Sequence, residues 1–477
     1  MGGSERNGGM RAWYTTVMSV HPLLARIDWS SEGPRAVSLL RDLIRFDTTN
    51  PPGNEAACAE YLAGFLRFTG LEPEVLQSGP GRGNVIARLK GTGAKPPLLL
   101  CAHLDVVPAE PSRWTHPPFA AEIHDGYLYG RGAVDMKNMA AMSAMTLALL
   151  ARLGVKPQRD IIFAGVADEE VGCDYGSAWL VEHHPEKVRA EYALGEIGAF
   201  TLHTNGRTFY PIQTAEKGIC WIRARVRGKT GHGSIPIAEN ATVRLAEMVA
   251  RVGRERLPLH ISAPVRRFVE ALAAGNPLPA RGILPLLLRS ATANMVIDKV
   301  LPDRATANVF NAILRNTVTP TVLRAGTKTN VIPGTAEAEL DGRIALGSSA
   351  SELLAELRAL AGPDVEFEVI KEAPPTETTP DSEAFRLLSD VVRDHDPEGI
   401  PIPYVIPGFT DAKSWSRLGT KCYGFSPVRF DPAHNVKFSE LYHGDDERIP
   451  VEGFEFGLRM LFDAVCRIAG APNLPST

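Results

Sequence analysis

Carboxylates and histidines stand at the ends of apolar runs in this chain, the places where a layered sheet would do chemistry. His103-Leu104-Asp105 follows the run Leu98 to Ala102, and open α/β sheets carry their active sites at the carboxyl ends of strands. In extended backbone, residues two apart point the same way. Asp105 can therefore accept the second ring N–H of His103 and fix its tautomer, as metal-binding histidines need. Gly130-Arg131-Gly132-Ala133-Val134-Asp135-Met136-Lys137 turns from a strand into a helix. Its aspartate, where a dinucleotide fingerprint has glycine, excludes that reading. Ala167-Asp168-Glu169-Glu170-Val171-Gly172 sets consecutive carboxylates after the buried run Ile161 to Ala164. Such groups repel one another and lose hydration unless a cation or several donors receive them. If the backbone stays extended there, Glu169 and Glu170 face opposite ways, so one can bind metal while the other acts as a base. Glu196 closes another short apolar run, and His434 and His443 lie in a polar C-terminal loop. His232 sits among glycines in Gly228-Lys229-Thr230-Gly231-His232-Gly233-Ser234, where backbone can approach a partner closely. Taken singly, each has an ordinary reading: a histidine closing a strand, an aspartate capping a helix, an acidic loop in water, an exposed loop histidine.

The surrounding pattern says what must position them. A chain of 477 residues, 44% hydrophobic and 22% charged, exceeds the roughly 250–300 residues at which single cores stop growing, so two or more domains are expected. With 51 basic and 55 acidic residues and a formal charge of −4, no large positive field would hold nucleic acid or an anionic membrane. The 37 prolines, 43 glycines and 7% aromatics suit an α/β enzyme with short connections better than a coiled coil or repeat array. Cys58, Cys101, Cys173, Cys220, Cys422 and Cys466 form no C-x-x-C pair, so they read as scattered, mostly buried small hydrophobes in a reducing compartment. The first residues, through Leu24, mix glycine and charge where a secretory signal needs an apolar stretch, and no run approaches the roughly 18 apolar residues of a membrane span. A soluble leader and a cytoplasmic protein are expected.

Helical spacing predicts helices over 33–46 and 54–69, the latter after the breaker Asn50-Pro51-Pro52-Gly53, and a buried helix over 136–153. Strands are expected at 84–89, 97–102, 127–129 and 161–167, an alternation that signals a layered α/β sheet. After Glu196 the texture changes: 218–226 and 335–344 alternate as half-solvated antiparallel strands, with helices at 241–252 and 349–360 and a strand at 365–370. This reads as a smaller inserted α+β domain. The proline-rich stretch 255–328 reads as an elaboration of that insert, and Lys371 to Pro380 as the return linker.

Together and in this order, the motifs resemble the metallopeptidase family of acetylornithine deacetylase, succinyl-diaminopimelate desuccinylase, aminoacylase and glutamate carboxypeptidase. The landmarks run from Asp47-Thr48-Thr49-Asn50-Pro51 to Glu447: H-x-D, G-R-G-x-x-D-M-K, D-E-E-x-G, G-H-x-S, N-V-I-P and H-x-x-x-E. The resemblance implies a mixed-sheet, three-layer α/β zinc-peptidase catalytic domain in two segments, 1–213 and 373–477. Between them it implies an inserted α+β, ferredoxin-like lid and dimerisation domain, 214–372. It implies one zinc on His103, Asp135 and Glu196 and a second on Asp135, Glu170 and His443, with Asp135 bridging and Asp105 orienting His103. Cobalt or manganese suits the same mixed donors. Two dications against the carboxylates of Asp135, Glu170 and Glu196 leave about one positive charge over. Glu169 would be the general base. His232 would reach the partner subunit's active site in a homodimer and polarise the scissile carbonyl. Asn330 and Arg343 would bind substrate, the arginine gripping a carboxylate, and Gly408 would approach it through the backbone.

The implied activity is hydrolysis of an amide in an N-acyl amino acid, a dipeptide or a C-terminal residue, or of an N-carbamoyl amino acid on the same scaffold. The chain departs from the family's D-x-R-x-x-P-G by reading Asp341-Gly342-Arg343-Ile344-Ala345-Leu346-Gly347, without the proline. Two other classes stand against this reading: a metal-free carboxylate-pair hydrolase using Glu169 and Glu170, and a non-catalytic protein that retains the fold.

Overall fold

The computed structural model describes residues 20–472 except 435 and 437. Nearly all of the expected leader lies outside the described residues. Among the described residues a mixed sheet has ten strands. Its main path runs Glu74–Gly79, Arg82–Leu89, Ile161–Val166, Leu98–His103, Tyr192–Gly195, Lys421–Gly424, Arg207–Glu216, Thr376–Glu377. Ile161–Val166, Leu98–His103, Tyr192–Gly195 and Lys421–Gly424 run parallel to their neighbours in that series. Their carboxyl ends therefore open on one edge.

Alternation along the central strands makes the layers. Leu98, Leu100, Ala102, Ile161 and Phe163 join the core under the helices Trp29–Arg45, Lys137–Arg152 and Val451–Ala469. Leu99, Cys101, Ile162, Ala164 and Val166 face the other way, against Leu180, Val181 and Trp415. With both faces covered, the strands read as continuous apolar runs. The first helix begins at Trp29, four residues before its periodicity, because Asp28 caps it by accepting the Ser30 N–H at 3.1 Å.

The insert is a second, four-stranded antiparallel sheet in the order Thr317–Ala325, Thr335–Ile344, Gly218–Arg227, Val365–Ala373. Helices Ala241–Arg254 and Ala350–Ala361 pack on it through Leu245, Met248, Leu353 and Leu357. This β-α-β-β-α-β order is ferredoxin-like, as expected.

Three expectations need correction. The stretch 255–328 is not only an elaboration of the insert. Its helices Ala263–Gly275, Ser290–Lys299 and Arg304–Ile313 share a core with Phe209, Ala215, Ile402 and Val405 of the large sheet. The segment 371–380 is not a free linker either: Lys371 to Ala373 finish a strand, and Thr376–Glu377 pairs with Glu216 and Ala215. The strand Arg207–Glu216 runs three residues past the expected boundary at 213, and Lys217 alone separates it from Gly218–Arg227.

Candidate metal centre

Four of the sequence-predicted side chains stand where parallel strands end. His103 is the last residue of its strand, Glu196 follows Tyr192–Gly195, and Glu169 and Glu170 lie just past Ile161–Val166. Asp135 immediately precedes Met136 and the helix Lys137–Arg152. It does not cap that helix, whose N-terminal position makes no side-chain cap. Its carboxylate lies instead between two imidazoles: Oδ1 is 3.0 Å from His103 Nε2, and Oδ2 is 3.0 Å from His443 Nε2. Glu196 approaches His103 Nε2 at 3.8 Å, and Glu170 approaches His443 Nε2 at 3.2 Å. Two groups of three donors result, His103 with Asp135 and Glu196, and Asp135 with Glu170 and His443, joined at Asp135. His443 is stacked on Tyr442, ring centroids 4.7 Å apart. His434 lies elsewhere, its Nδ1 2.7 Å from the Tyr127 hydroxyl.

Asp105 holds a different post from the one expected. The acceptor for His103 Nδ1, at 2.9 Å, is the backbone carbonyl of Asp105, whose carboxylate stands 3.6 Å off. The strand ends at His103, and the carboxylate two residues on does not take up the imidazole. The Asp105 carboxylate instead accepts the backbone N–H groups of Glu169 and Glu170, each at 3.1 Å, and the Asn50 amide at 2.8 Å. It fixes the turn that presents the two glutamates.

Several positioning residues carried no role in the sequence. Glu447 is fully buried and accepts from Arg131 Nη1 (2.8 Å), Gly132 N (3.1 Å), Val134 N (2.8 Å) and Asp135 N (3.1 Å). It therefore shapes the whole loop before Asp135. Asn50 bridges Asp105 and Asp168, and accepts from Arg82, which also pairs with Glu55 at 2.6 Å. Asn50 and Glu447 lie within the D-T-T-N-P and H-x-x-x-E landmarks, the one signal by which they were findable.

The electrostatics fit a cation. Burial pushes Glu196 up to about 8 against the hydrogen bond from His103. Burial and the nearby Asp135 carboxylate raise Glu170 to about 6. Glu169 is held well above the ordinary range by burial and then by Glu196. Burial works against the charge on His443, yet its bonds to Asp135 and Glu170 outweigh this and push it up to about 10. Oε1 of Glu169, of Glu170 and of Glu196 is buried with no hydrogen-bond partner, an arrangement that burial penalises unless a cation receives it.

The expected substrate residues are dispersed. His232 and Asn330 meet on the small ribbon Gly231–His232 with Val331–Ile332, where Gly233 N–H donates to the Asn330 carbonyl at 2.9 Å. The His232 side chain is exposed and bonds Ser234 at 2.7 Å. Among the described residues no hydrogen bond or ion pair joins this ribbon to the carboxylate cluster. Arg343 forms a two-bond pair with Asp341, at 2.7 and 2.9 Å, and lies over the Phe409 ring at 5.1 Å. Gly408 precedes that phenylalanine, with open space where a Cβ would stand.

Residues 99–467 match the family described as peptidase family M20/M25/M40. The N-fatty-acyl-amino acid synthase/hydrolase PM20D1 of Bos taurus is 30% identical over 387 residues, covering 77% of this chain and 73% of the relative. Aminoacylase-1 of Sus scrofa is 29% identical, covering 92% of this chain and 97% of the relative. The crystal structure of human carnosine dipeptidase 1 superposes with a TM-score of 0.68 at 15% identity, over 94% of this chain and 98% of that one, which is a likeness of fold. On the family match and these relatives, the chain belongs to peptidase family M20/M25/M40.

Proposed function

We propose that the protein is a dinuclear metal-dependent amidohydrolase that cleaves the amide bond of N-acyl amino acids. The observation that carries the reading is the pair of donor groups sharing Asp135. His103, Asp135 and Glu196 would hold one zinc, and Asp135, Glu170 and His443 the other. Each ion would see one imidazole and two carboxylates, donors that cobalt or manganese also accepts. When bound, the two cations supply Lewis acidity and lower the pKa of water toward neutrality.

The chain's own residues do the rest. Glu169 is not a member of either group, is buried, and has a raised pKa, as suits a base that takes a proton from the attacking water and delivers it to the leaving nitrogen. Asp105 positions Glu169 by holding its backbone N–H. Arg343 receives the substrate's free carboxylate in the planar two-bond manner it already uses with Asp341. Gly408 leaves its backbone open to the substrate. His232 and Asn330 act from the lid, His232 in the active site of a second subunit of a homodimer. Acyl amino acids are preferred over dipeptides because the relatives at 29–30% identity are named for N-acyl amino acid chemistry, whereas the dipeptidase likeness is one of fold.

The test is a panel of N-acyl amino acids, dipeptides and N-carbamoyl amino acids given to the zinc-loaded protein, with free amino acid as the readout. Release from the acyl compounds alone, lost on chelation and restored by zinc, is the expected result. Turnover confined to dipeptides or carbamoyl compounds would overturn the substrate class. Full activity after chelation would favour a metal-free carboxylate pair.

A further inference from the structure

One cation from the insert and one from the host domain meet on a single aromatic ring. Arg343, on the insert strand Thr335–Ile344, has its guanidinium carbon 5.1 Å from the centroid of Phe409. Lys413, in the short helix Ala412–Trp415, has Nζ 3.2 Å from the same centroid. The two are not equivalent. Nε and Nη2 of Arg343 are already taken by Asp341, whereas Lys413 Nζ is buried with no hydrogen-bond partner. An ammonium has three N–H donors. Leaving them all unpaired out of water is a cost that a cation–π contact offsets only in part. An anion that brings acceptors to Nζ removes that cost.

The segment that carries Lys413 is built against the candidate metal centre. Thr410, Asp411 and Ala412 line the same small cavity as Glu196. The Cys173 thiol donates to Asp411 Oδ1 at 3.3 Å, which ties the segment to the loop of Glu169 and Glu170. The Lys413 charge is felt at Glu169, Glu216 and Asp411: burial is the main cause that raises each of these carboxyls, and the lysine opposes it. None of them hydrogen-bonds Nζ.

We propose that Lys413 is a substrate-binding residue whose ammonium receives the carboxylate of the substrate's amino-acid part, with Nη1 of Arg343 as the second contact. The proposal rests on the reading above in requiring a substrate with a free carboxylate. It deepens that reading, because an arginine that keeps Asp341 is already neutralised and the lysine supplies the uncompensated point charge. Gly408, with open space where a Cβ would stand, leaves room beside the Phe409 ring. A substrate whose carboxylate is capped as an amide loses the contact, so the protein selects the free acid.

The test is calorimetric binding to zinc-loaded Glu169→Gln protein, which does not consume its ligands, with and without Lys413→Met, Lys413→Gln, Lys413→Arg or Arg343→Met. The probes are N-acetylleucine, N-decanoylleucine and alanylleucine, each beside the same compound ending in leucinamide. The acid is expected to bind at least tenfold more tightly than its amide. Lys413→Met and Lys413→Gln should weaken the acid roughly 10–100-fold and leave the amide within about twofold, and Lys413→Arg should restore part of the preference. A lysine that only balances buried carboxylates would instead weaken both members of a pair alike. Discrimination confined to the alanylleucine pair would sink the acyl substrate class and leave Lys413 in its role. Circular dichroism identifies a variant that has not folded, and the other neutral variant then decides. The proposal is overturned by equal binding of acid and amide before substitution, by no binding of any pair, or by a preference that survives in folded Lys413→Met or Lys413→Gln.

Discussion

Glu169 and Glu447 are both buried carboxylates, and their surroundings separate their tasks. Glu169 has an oxygen with no hydrogen-bond partner beside the donor groups, whereas the Glu447 carboxylate is taken up by the loop before Asp135. Glu169→Gln is therefore expected to lower kcat by about 10²–10⁴ with metal content unchanged. Loss of an ion in that variant would make Glu169 a ligand instead. Glu447→Gln turns one acceptor oxygen into a donor facing N–H groups, at a cost of about 1–3 kcal/mol in chemical denaturation. It should also weaken metal binding by roughly 10–100-fold, since the loop it shapes carries Asp135. The strand-end carboxylates and histidines were legible in the sequence because their types and order match the family's motifs, although each taken singly has an ordinary reading. The work of Asp105 was not, since it depends on which donors a distant loop brings to its carboxylate, the N–H groups of Glu169 and Glu170, and no periodicity announces that. Nor was that of Glu447, since a carboxylate that holds backbone N–H groups has no spacing of its own.

Among the elements, the strands with clean apolar runs or strict alternation were legible, and those with mixed signals were not. Arg207–Glu216 contains Pro211, threonines and a glutamine, yet Phe209 to Glu216 are all buried. A strand buried on both faces and rich in polar groups shows neither period. Gly399–Ile406 and Thr317–Ala325 carry prolines and, among the described residues, pair on one side only, as edge strands allow. Glu216, at the end of the first of these, gives the strand a pH signature. Burial, only partly offset by the Thr410 hydroxyl, pushes its pKa from 4.5 up to about 7. Between those values the folded protein keeps a proton that the unfolded chain has released, so stability falls as pH rises through this window. By linkage the loss is up to about 3 kcal/mol at pH above 7. Urea unfolding of Glu216→Gln across pH 4.5–8 should show that part of the slope removed; parallel profiles for the two proteins would rule it out.

At the scale of the molecule, the exposed ribbon bearing His232 makes the proposed dimer testable by complementation. Neither His232→Ala nor Glu169→Gln should turn over alone at more than a few per cent of wild type. If His232 acts in the second subunit, mixing the two and allowing exchange creates hybrid dimers in which one site has both groups. Activity should then return, and light scattering should report twice the chain mass. A mixture as inactive as its parts would place His232 outside the reaction or within its own subunit. The existence of an insert was legible from the change of texture after Glu196, but its packing was not. The helices within 263–313 look like part of it in sequence and bury the large sheet in space. That mismatch bears on how such a chain can evolve. Entry and exit of the insert lie side by side, with Glu216 paired to Thr376 and Ile219 to Ala373, so the whole stretch could be exchanged by a single recombination without disturbing the host's path. A transplant at that junction would nevertheless strip the cover from Phe209, Ala215, Ile402 and Val405. Insert and host strands must therefore be inherited as a matched set, and divergence in the one is constrained by the other.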